Sequence, residues 1–429
     1  MATSSVGARR TIARLLDRGS VDELMARIVP RLPEEEPLPE AVPEPRNWSR
    51  EAWLHRVAFV RGVAGDALPH LTDARTIDDP VELKGNIEQY IGMTQVPTGL
   101  IGPLRVNGID AFGDFYVPMA TSEGALVASY HRGATIASRS GGVTSVCLTE
   151  VVQRSPCFRF STFARAGGFL IWVMEHLGEL EPVIRAHSRH TQLVDVRPNI
   201  DANQITLMLD FTTGDAAGQN MVTICADAIS RWIVEHCPIT PDFWVVEGNL
   251  SGDKKATALS FTSVRGKKVT AEVTVPRVLV ESGLRTTSER MVEYWKLSAV
   301  NGVQSGSIGI NGHFANGLAA IFLACGQDVA CVSEASVGTT RFDLTAEGDL
   351  YGCVTLPNLI VGSVGGGTGL PTQRECLRLM RCEGEGGARK LAEVCAATVL
   401  CGELSIVAAI AAGDFAKAHA LYRRRREES

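Results

Sequence analysis

The stretch from Leu391 to Gly413 constrains the fold more than any other part of the chain. It is almost wholly apolar and long enough to cross a bilayer. Two carboxylates, Glu393 and Glu403, interrupt it. A carboxylate near the centre of a lipid-embedded helix costs ~2.5 kcal/mol or more. The segment is therefore expected to be a buried core helix rather than a membrane span. A chain of 429 residues can supply such a core and allows two or three domains. Its 45% hydrophobic and 21% charged residues are ordinary for a soluble globular protein.

A net charge of -6 gives no general case for nucleic acid or an anionic membrane surface. The one basic run is Arg423 to Arg426, which suits a solvated tail or a local phosphate contact. Eleven cysteines, an odd number, form no CxxC pair and no Cys/His zinc spacing. Reduced thiols, no metal and a cytoplasmic setting are expected. The first residues contain no apolar run of signal-peptide type.

Residues 8–29 read as two short helices, with Ser20 and Glu23 in capping-box spacing. Prolines 30, 33, 37, 39, 43 and 45 then forbid helix and ladder pairing, so 30–46 reads as an extended linker. A helix follows from about Arg50 to Gly62. From Asn86 onward strand-like runs alternate with glycine-rich turns and helices. The strand-like runs are Phe158–Ser161, Phe169–Val173, Ile205–Phe211, Thr257–Phe261, Val269–Val275 and Val354–Val361. Helices are expected at Asn220–Glu235, Asn316–Cys325 and the Leu391 segment. No strict βαβ rhythm appears, so the expected class is α+β.

Several polar residues stand in positions that suit chemistry. Asp253, Lys254 and Lys255 follow Ser251 between two strand-like runs. A lysine ammonium in a dry pocket stabilises an oxyanion, and a nearby carboxylate keeps it charged; an exposed charged turn is the plain alternative. Glu123 opens a helix that is otherwise small and apolar. It suits a proton donor or simple helix capping. Asp328 follows an apolar helix, as a boundary residue or a buried acid. His419 titrates in the range of a proton shuttle, although a histidine near a terminus usually has no special role. Gly214–Met221 and Gly362–Gly369 could each present backbone N–H groups to phosphates or be ordinary turns. Neither is the GxGxxG turn of a dinucleotide fold.

In combination and order, these motifs resemble the 3-hydroxy-3-methylglutaryl-CoA (HMG-CoA) reductase family over roughly Glu88 to Arg424. The matching text includes Gly102-Pro103-Leu104, Met119–Ser129, Gly214–Met221, Asp253-Lys254-Lys255 and Gly306–Gly309. It continues through Gly326-Gln327-Asp328, Val364–Thr368, Gly402–Ser405 and Lys417-Ala418-His419. The resemblance implies reduction of HMG-CoA to mevalonate and CoA with two NADPH, through a hemithioacetal and an aldehyde. It implies that Lys254 stabilises the oxyanion, Asp328 supports it, Glu123 donates a proton and His419 protonates the departing CoA thiolate. It places Arg154, Glu247, Ser251, Asp253, Lys255, Lys296, His313, Asn316 and Ile406 around the acyl-CoA. It places Ser188, Arg189, Asp215, Gly218, Gln219, Asn220, Met221, Val364, Gly365, Gly366 and Arg424 around NADPH. Arginine near the adenosine 2′-phosphate favours NADPH over NADH.

The resemblance, to the soluble class I-like members, also implies an architecture. Residues 1–84 are an N-terminal helical region, and 85–147 with 246–400 a large substrate-binding domain around a central helix. Residues 148–245 are an inserted ferredoxin-like nucleotide-binding domain, and 401–429 a C-terminal helix and flap. A homodimer or dimer of dimers, with the site at the subunit interface, is implied as well. The chain departs from the family at Glu247 (often serine), Thr135 (often basic), Ala217 and Gln219 (commonly methionine), and Arg425, where some relatives carry a phosphorylatable serine. A glutamate at 247 would oppose an anionic acyl group if it points inward, and Arg154 would offset it. Other readings are a sister reductase of a different acyl thioester and a non-catalytic CoA- or nucleotide-binding homologue.

Overall fold

The computed structural model describes residues 5–44, 47, 49–72, 83, 86–262 and 265–413. Helices and sheet are mixed, as the α+β reading expects. Ten strands are described: β1 (Thr98–Gly108), β2 (Phe112–Ala120), β3 (Val143–Arg154), β4 (Cys157–Arg159), β5 (Gln192–Asp201), β6 (Gln204–Thr212), β7 (Phe243–Val245), β8 (Gly266–Val275), β9 (Thr339–Leu344) and β10 (Leu350–Leu359). They follow the order β7-β4-β6-β3-β8-β10-β9, with β1 joining β2 and β3, and β5 joining β6. Strand β3 is the hinge of this order. Thr144 to Val151 pair with β8, and Val152 to Arg154 pair with β6.

The two halves of β3 serve two separate cores. Beyond Val151 the core is Val152, Phe158, Phe169, Leu207, Phe211 and Ile229 among others, all from residues 152–237. The larger core surrounds the helix Gly387–Ala411. That helix packs on Leu126–Arg139, on Phe314–Ala324 and on strands β3, β8 and β10. Close approach is allowed by small residues: a Cβ on Gly133 would overlap the carbonyl of Cys401, and one on Gly402 would overlap the Tyr130 ring. The apolar segment is thus enclosed by protein.

Both of its carboxylates are fully buried and bonded. Glu393 accepts from the backbone N–H of Asp110 (2.9 Å), Ala111 (2.6 Å) and Cys147 (3.0 Å). It therefore ties the β1–β2 turn and β3 to the core helix. Burial, reinforced by Asp110, pushes its carboxyl up to about 8 against the pull of those three N–H groups. Glu403 accepts from Gly312 N (2.7 Å), His313 N (2.8 Å) and Thr340 Oγ1 (2.7 Å). A carboxylate that stands out in the sequence as an intruder is, in the fold, the partner of N–H groups that would otherwise be orphaned.

Four local expectations change. Phe169–Val173 is not a strand but part of the helix Phe163–Glu175, N-capped by Thr162. Ala166, Phe169 and Val173 are buried at helical spacing while Ile171 faces solvent, so a short apolar run was compatible with either period. Thr257–Phe261 contains a 3-10 turn over Ala258–Phe261, held where Asn358 Nδ2 donates to Ser260 Oγ at 2.7 Å. The helix expected to open at Glu123 begins at Leu126, after Ala125 takes a left-handed φ of 69°. Glu123 thus lies in the preceding turn. The proline-rich segment is extended but not a free linker. The buried Arg105 guanidinium donates to the carbonyls of Arg31, Glu36 and Pro37 while pairing with Asp114. Ser20 and Glu23 do form a capping box.

Candidate active site

Lys254 sits on a loop whose backbone is bent on purpose. Asn249, Gly252 and Lys254 all have positive φ, 66°, 73° and 55°. A lysine is strained there, so something must hold it. Its N–H donates to Glu334 Oε1 at 3.1 Å, and Glu334 is fully buried against Arg265 at 2.5 Å. Arg265, also buried, donates to Asp253 Oδ1 at 2.6 Å. Arg154 Nη1 pairs with the other Asp253 oxygen at 3.2 Å. Asp253 is therefore clamped between two guanidinium groups immediately before Lys254.

The Lys254 ammonium lies 2.9 Å from Asp328 Oδ2. Asp328 is fixed in turn, its Oδ1 accepting from Ala330 N at 3.0 Å and its Oδ2 from Gln219 Nε2 at 3.3 Å. The hydrogen bond to Asp328, with its negative charge, raises the Lys254 ammonium above the ordinary lysine range. Burial alone would raise the Asp328 carboxyl, but the bond and charge of Lys254 outweigh it and hold it low. Both groups stay ionised through neutral pH. A fixed, partly exposed cation is the group needed to meet charge developing on a carbonyl oxygen.

Glu247 does not project into open space. It accepts from Ser155 Oγ (2.5 Å), Ser155 N (3.3 Å), Asn249 N (2.7 Å) and Ser251 Oγ (3.1 Å). Its charge is spent on closing the loop that carries Lys254. Lys255 is exposed, with Nζ on the Asp253 carbonyl at 2.9 Å.

A second cluster lies at the start of the helix Phe314–Ala324. Asn316 Nδ2 donates to Glu123 Oε2 at 2.7 Å. The His313 ring packs at a tilt against Tyr130 with centroids 5.0 Å apart, and Ile406 lies against Gly312. Lys296 is exposed on the helix Ser288–Gln304.

The two glycine-rich loops come side by side through a bridge between Ala216 and Val364. Gly365 and Gly366 take positive φ in open surroundings. The helix Gln219–His236 starts at Gly218 without a side-chain cap. Uncapped N–H groups beside an open glycine loop fit phosphate oxygens. Gly326, two residues before Asp328, is tight against Gly367, so this cradle adjoins the lysine pair. Ser188 is held to Thr191 Oγ1 and Met221 Sδ, at 2.9 and 3.2 Å, while Arg189 and Asn220 are exposed. Asp215 turns elsewhere: its carboxylate caps the core helix through Gly386 N and Ala388 N, at 2.9 and 3.0 Å. His419 and Arg424 lie outside the described residues.

Arg265, Glu334, Ser155 and Glu403 were not read as functional from the sequence. Arg265 and Glu334 are 69 residues apart, and no local spacing links them.

An ammonium held by a carboxylate, next to a glycine-lined loop pair, is an arrangement that suits an enzyme's active site. A sequence profile for hydroxymethylglutaryl-coenzyme A reductase matches residues 52–424. The chain belongs to that family. It is 47% identical over 350 residues to the 3-hydroxy-3-methylglutaryl-coenzyme A reductase of Pyrococcus abyssi, covering 80% of this chain and 85% of that protein. The enzyme of the same name from Aeropyrum pernix is 43% identical over 381 residues, 87% and 90% of the two chains. In fold the chain is similar to the class II enzyme of Streptococcus pneumoniae solved bound to NADPH. The TM-score is 0.61 at 19% identity, over 77% of this chain and 89% of that one.

Proposed function

We propose that this chain reduces HMG-CoA to mevalonate and CoA with two NADPH. The observation that carries the reading is the Lys254–Asp328 pair at 2.9 Å on a strained, heavily braced loop. Lys254 meets the thioester oxygen, and afterwards the aldehyde oxygen, as negative charge grows there. Asp328 keeps that ammonium charged and aimed. Glu123, oriented by Asn316, gives the proton that turns the alkoxide into an alcohol. His419 protonates the CoA thiolate, whose ordinary pKa of ~8.5 lets an imidazolium do so at neutral pH. NADPH, when bound, supplies the hydride. Gly218, Gln219, Asn220 and Met221, with Val364, Gly365 and Gly366, hold its phosphates, and Ser188, Arg189 and Arg424 favour the 2′-phosphate. We place the nucleotide-binding unit at 148–245.

Three further points belong to this reading. The Glu247 carboxylate is turned onto Ser155 and Ser251 and keeps its charge, so the objection to an anionic acyl group is weakened by its orientation, and we keep HMG over a neutral acyl chain. The class I-like reading stays part of this proposal, resting on the resemblance of the sequence motifs alone. Finally, Glu123–Asn316 and Lys254–Asp328 form separate clusters, joined by no hydrogen bond or ion pair among the described residues. Leu297, Val300 and Val303 expose apolar surface beside Lys296. A homodimer, or a dimer of dimers, completes the site by bringing one cluster against the other.

The test is NADPH oxidation with HMG-CoA beside neutral acyl-CoAs such as butyryl-CoA. Turnover is expected with HMG-CoA and at most weakly with the others. Turnover confined to a neutral acyl-CoA overturns the substrate assignment.

A further inference from the structure

Glu403 reaches from inside the core helix toward the Glu123 cluster. One of its oxygens accepts from Gly312 N and Thr340 Oγ1, both at 2.7 Å. The other accepts from His313 N at 2.8 Å and faces His313 Nδ1 at 3.2 Å. The Glu403 oxygens already accept from two backbone N–H groups and a hydroxyl, so the ring nitrogen facing them is the donor of that contact. In a neutral ring this is the Nδ1–H tautomer, whose Nε2 is an acceptor; in an imidazolium Nε2 would be a donor. That Nε2 is buried and has no partner among the described residues. The ring cannot turn freely to find one. It packs at a tilt against Tyr130, whose hydroxyl donates to the His313 carbonyl at 3.2 Å. Three residues on, Asn316 holds Glu123. Buried polar atoms are rarely left without a partner, and this one lies on the same turn of chain as the partner of the candidate proton donor.

We propose that Glu403 is a positioning residue that fixes the tautomer and orientation of His313, so that His313 Nε2 accepts a hydrogen bond from the bound acyl-CoA. This rests on the acyl-CoA reductase reading above. The ligand must present a donor. In HMG-CoA the acyl carboxylate and thioester carbonyl only accept, so the donor is either the acyl hydroxyl or an N–H of the pantetheine arm.

The experiment compares Glu403→Gln with Glu393→Gln. Both glutamates lie on one helix and accept backbone N–H groups, but Glu393 is bound to Asp110, Ala111 and Cys147, away from His313. Both variants are expected to lower Tm. Only Glu403→Gln is expected to lower kcat/KM for HMG-CoA, about tenfold per folded molecule, with KM for NADPH unchanged. A fall within twofold of that in Glu393→Gln overturns the proposal. Imidazole ¹⁵N shifts of histidine-labelled wild type, with His313 assigned through His313→Gln, give a readout independent of turnover. The neutral Nδ1–H form is expected, and either the Nε2–H form or a doubly protonated ring overturns the proposal. Inhibition by 3-methylglutaryl-CoA then separates the donors. Affinity unchanged by Glu403→Gln identifies the acyl hydroxyl, and affinity weakened in step with HMG-CoA identifies the pantetheine N–H. Wild type inert toward every acyl-CoA would remove the reductase reading, while the ring shifts would still decide the role of Glu403.

Discussion

Lys254→Ala is expected to lower kcat for HMG-CoA reduction by about 10³-fold or more while leaving NADPH affinity nearly unchanged. Removing one neutral oxyanion donor typically costs about 10²–10³ in kcat. A full ammonium in a braced position does at least as much. Asp328 is the reason the cation is reliable: its bond raises the lysine above its ordinary range, and the lysine holds the carboxyl below its own. Asp328→Asn should therefore act through Lys254. The Lys254 ammonium should titrate lower, moving the alkaline limb of kcat to lower pH. Stopped-flow NADPH oxidation across pH, with fluorescence titration of NADPH binding, checks both. Activity retained in Lys254→Ala would remove the oxyanion role. An unmoved alkaline limb in Asp328→Asn would remove the tuning role.

Glu393→Ala is expected to destabilise the fold by about 3 kcal/mol or more, because three buried N–H groups lose their acceptor at ~1–3 kcal/mol each. Urea unfolding at fixed pH measures this. Glu393 also makes stability depend on pH in a definite direction. Its carboxyl is raised from 4.5 to about 8 in the fold, so the native state keeps a proton that the unfolded chain releases. That contribution is full below 4.5 and is lost as pH rises through about 8. Stability relative to Glu393→Gln should therefore shift toward the variant between pH 5 and pH 9. A difference that stays flat, or shifts the other way, would show that Glu393 is ionised in the fold throughout.

The reach of the sequence differed between the fold and the site. A strand rich in β-branched residues, such as β8, and the long apolar helix were readable because one period dominates each. Phe169–Val173 was not, because five apolar residues satisfy either period and Thr162 at the cap decides. The individual site residues were weak signals, and the Lys254–Asp328 pairing came from a family resemblance rather than from spacing. The bracing behind it was illegible. Arg265 and Glu334 meet only through tertiary folding, and Asp215 looked like a loop residue until it was seen to cap the core helix. Glu247 shows the opposite error. A charge that looks hostile to the substrate by position is turned onto Ser155 and Ser251, one of which lies 92 residues away.

The most direct test of the account is the stoichiometry of a complete turnover. With limiting HMG-CoA and excess NADPH, two NADPH should be oxidised for each HMG-CoA consumed, with mevalonate and free CoA thiol appearing in equal amounts. One NADPH for each thioester, with an aldehyde accumulating, would contradict a single site that carries out both reductions. No oxidation at all would contradict the enzyme assignment.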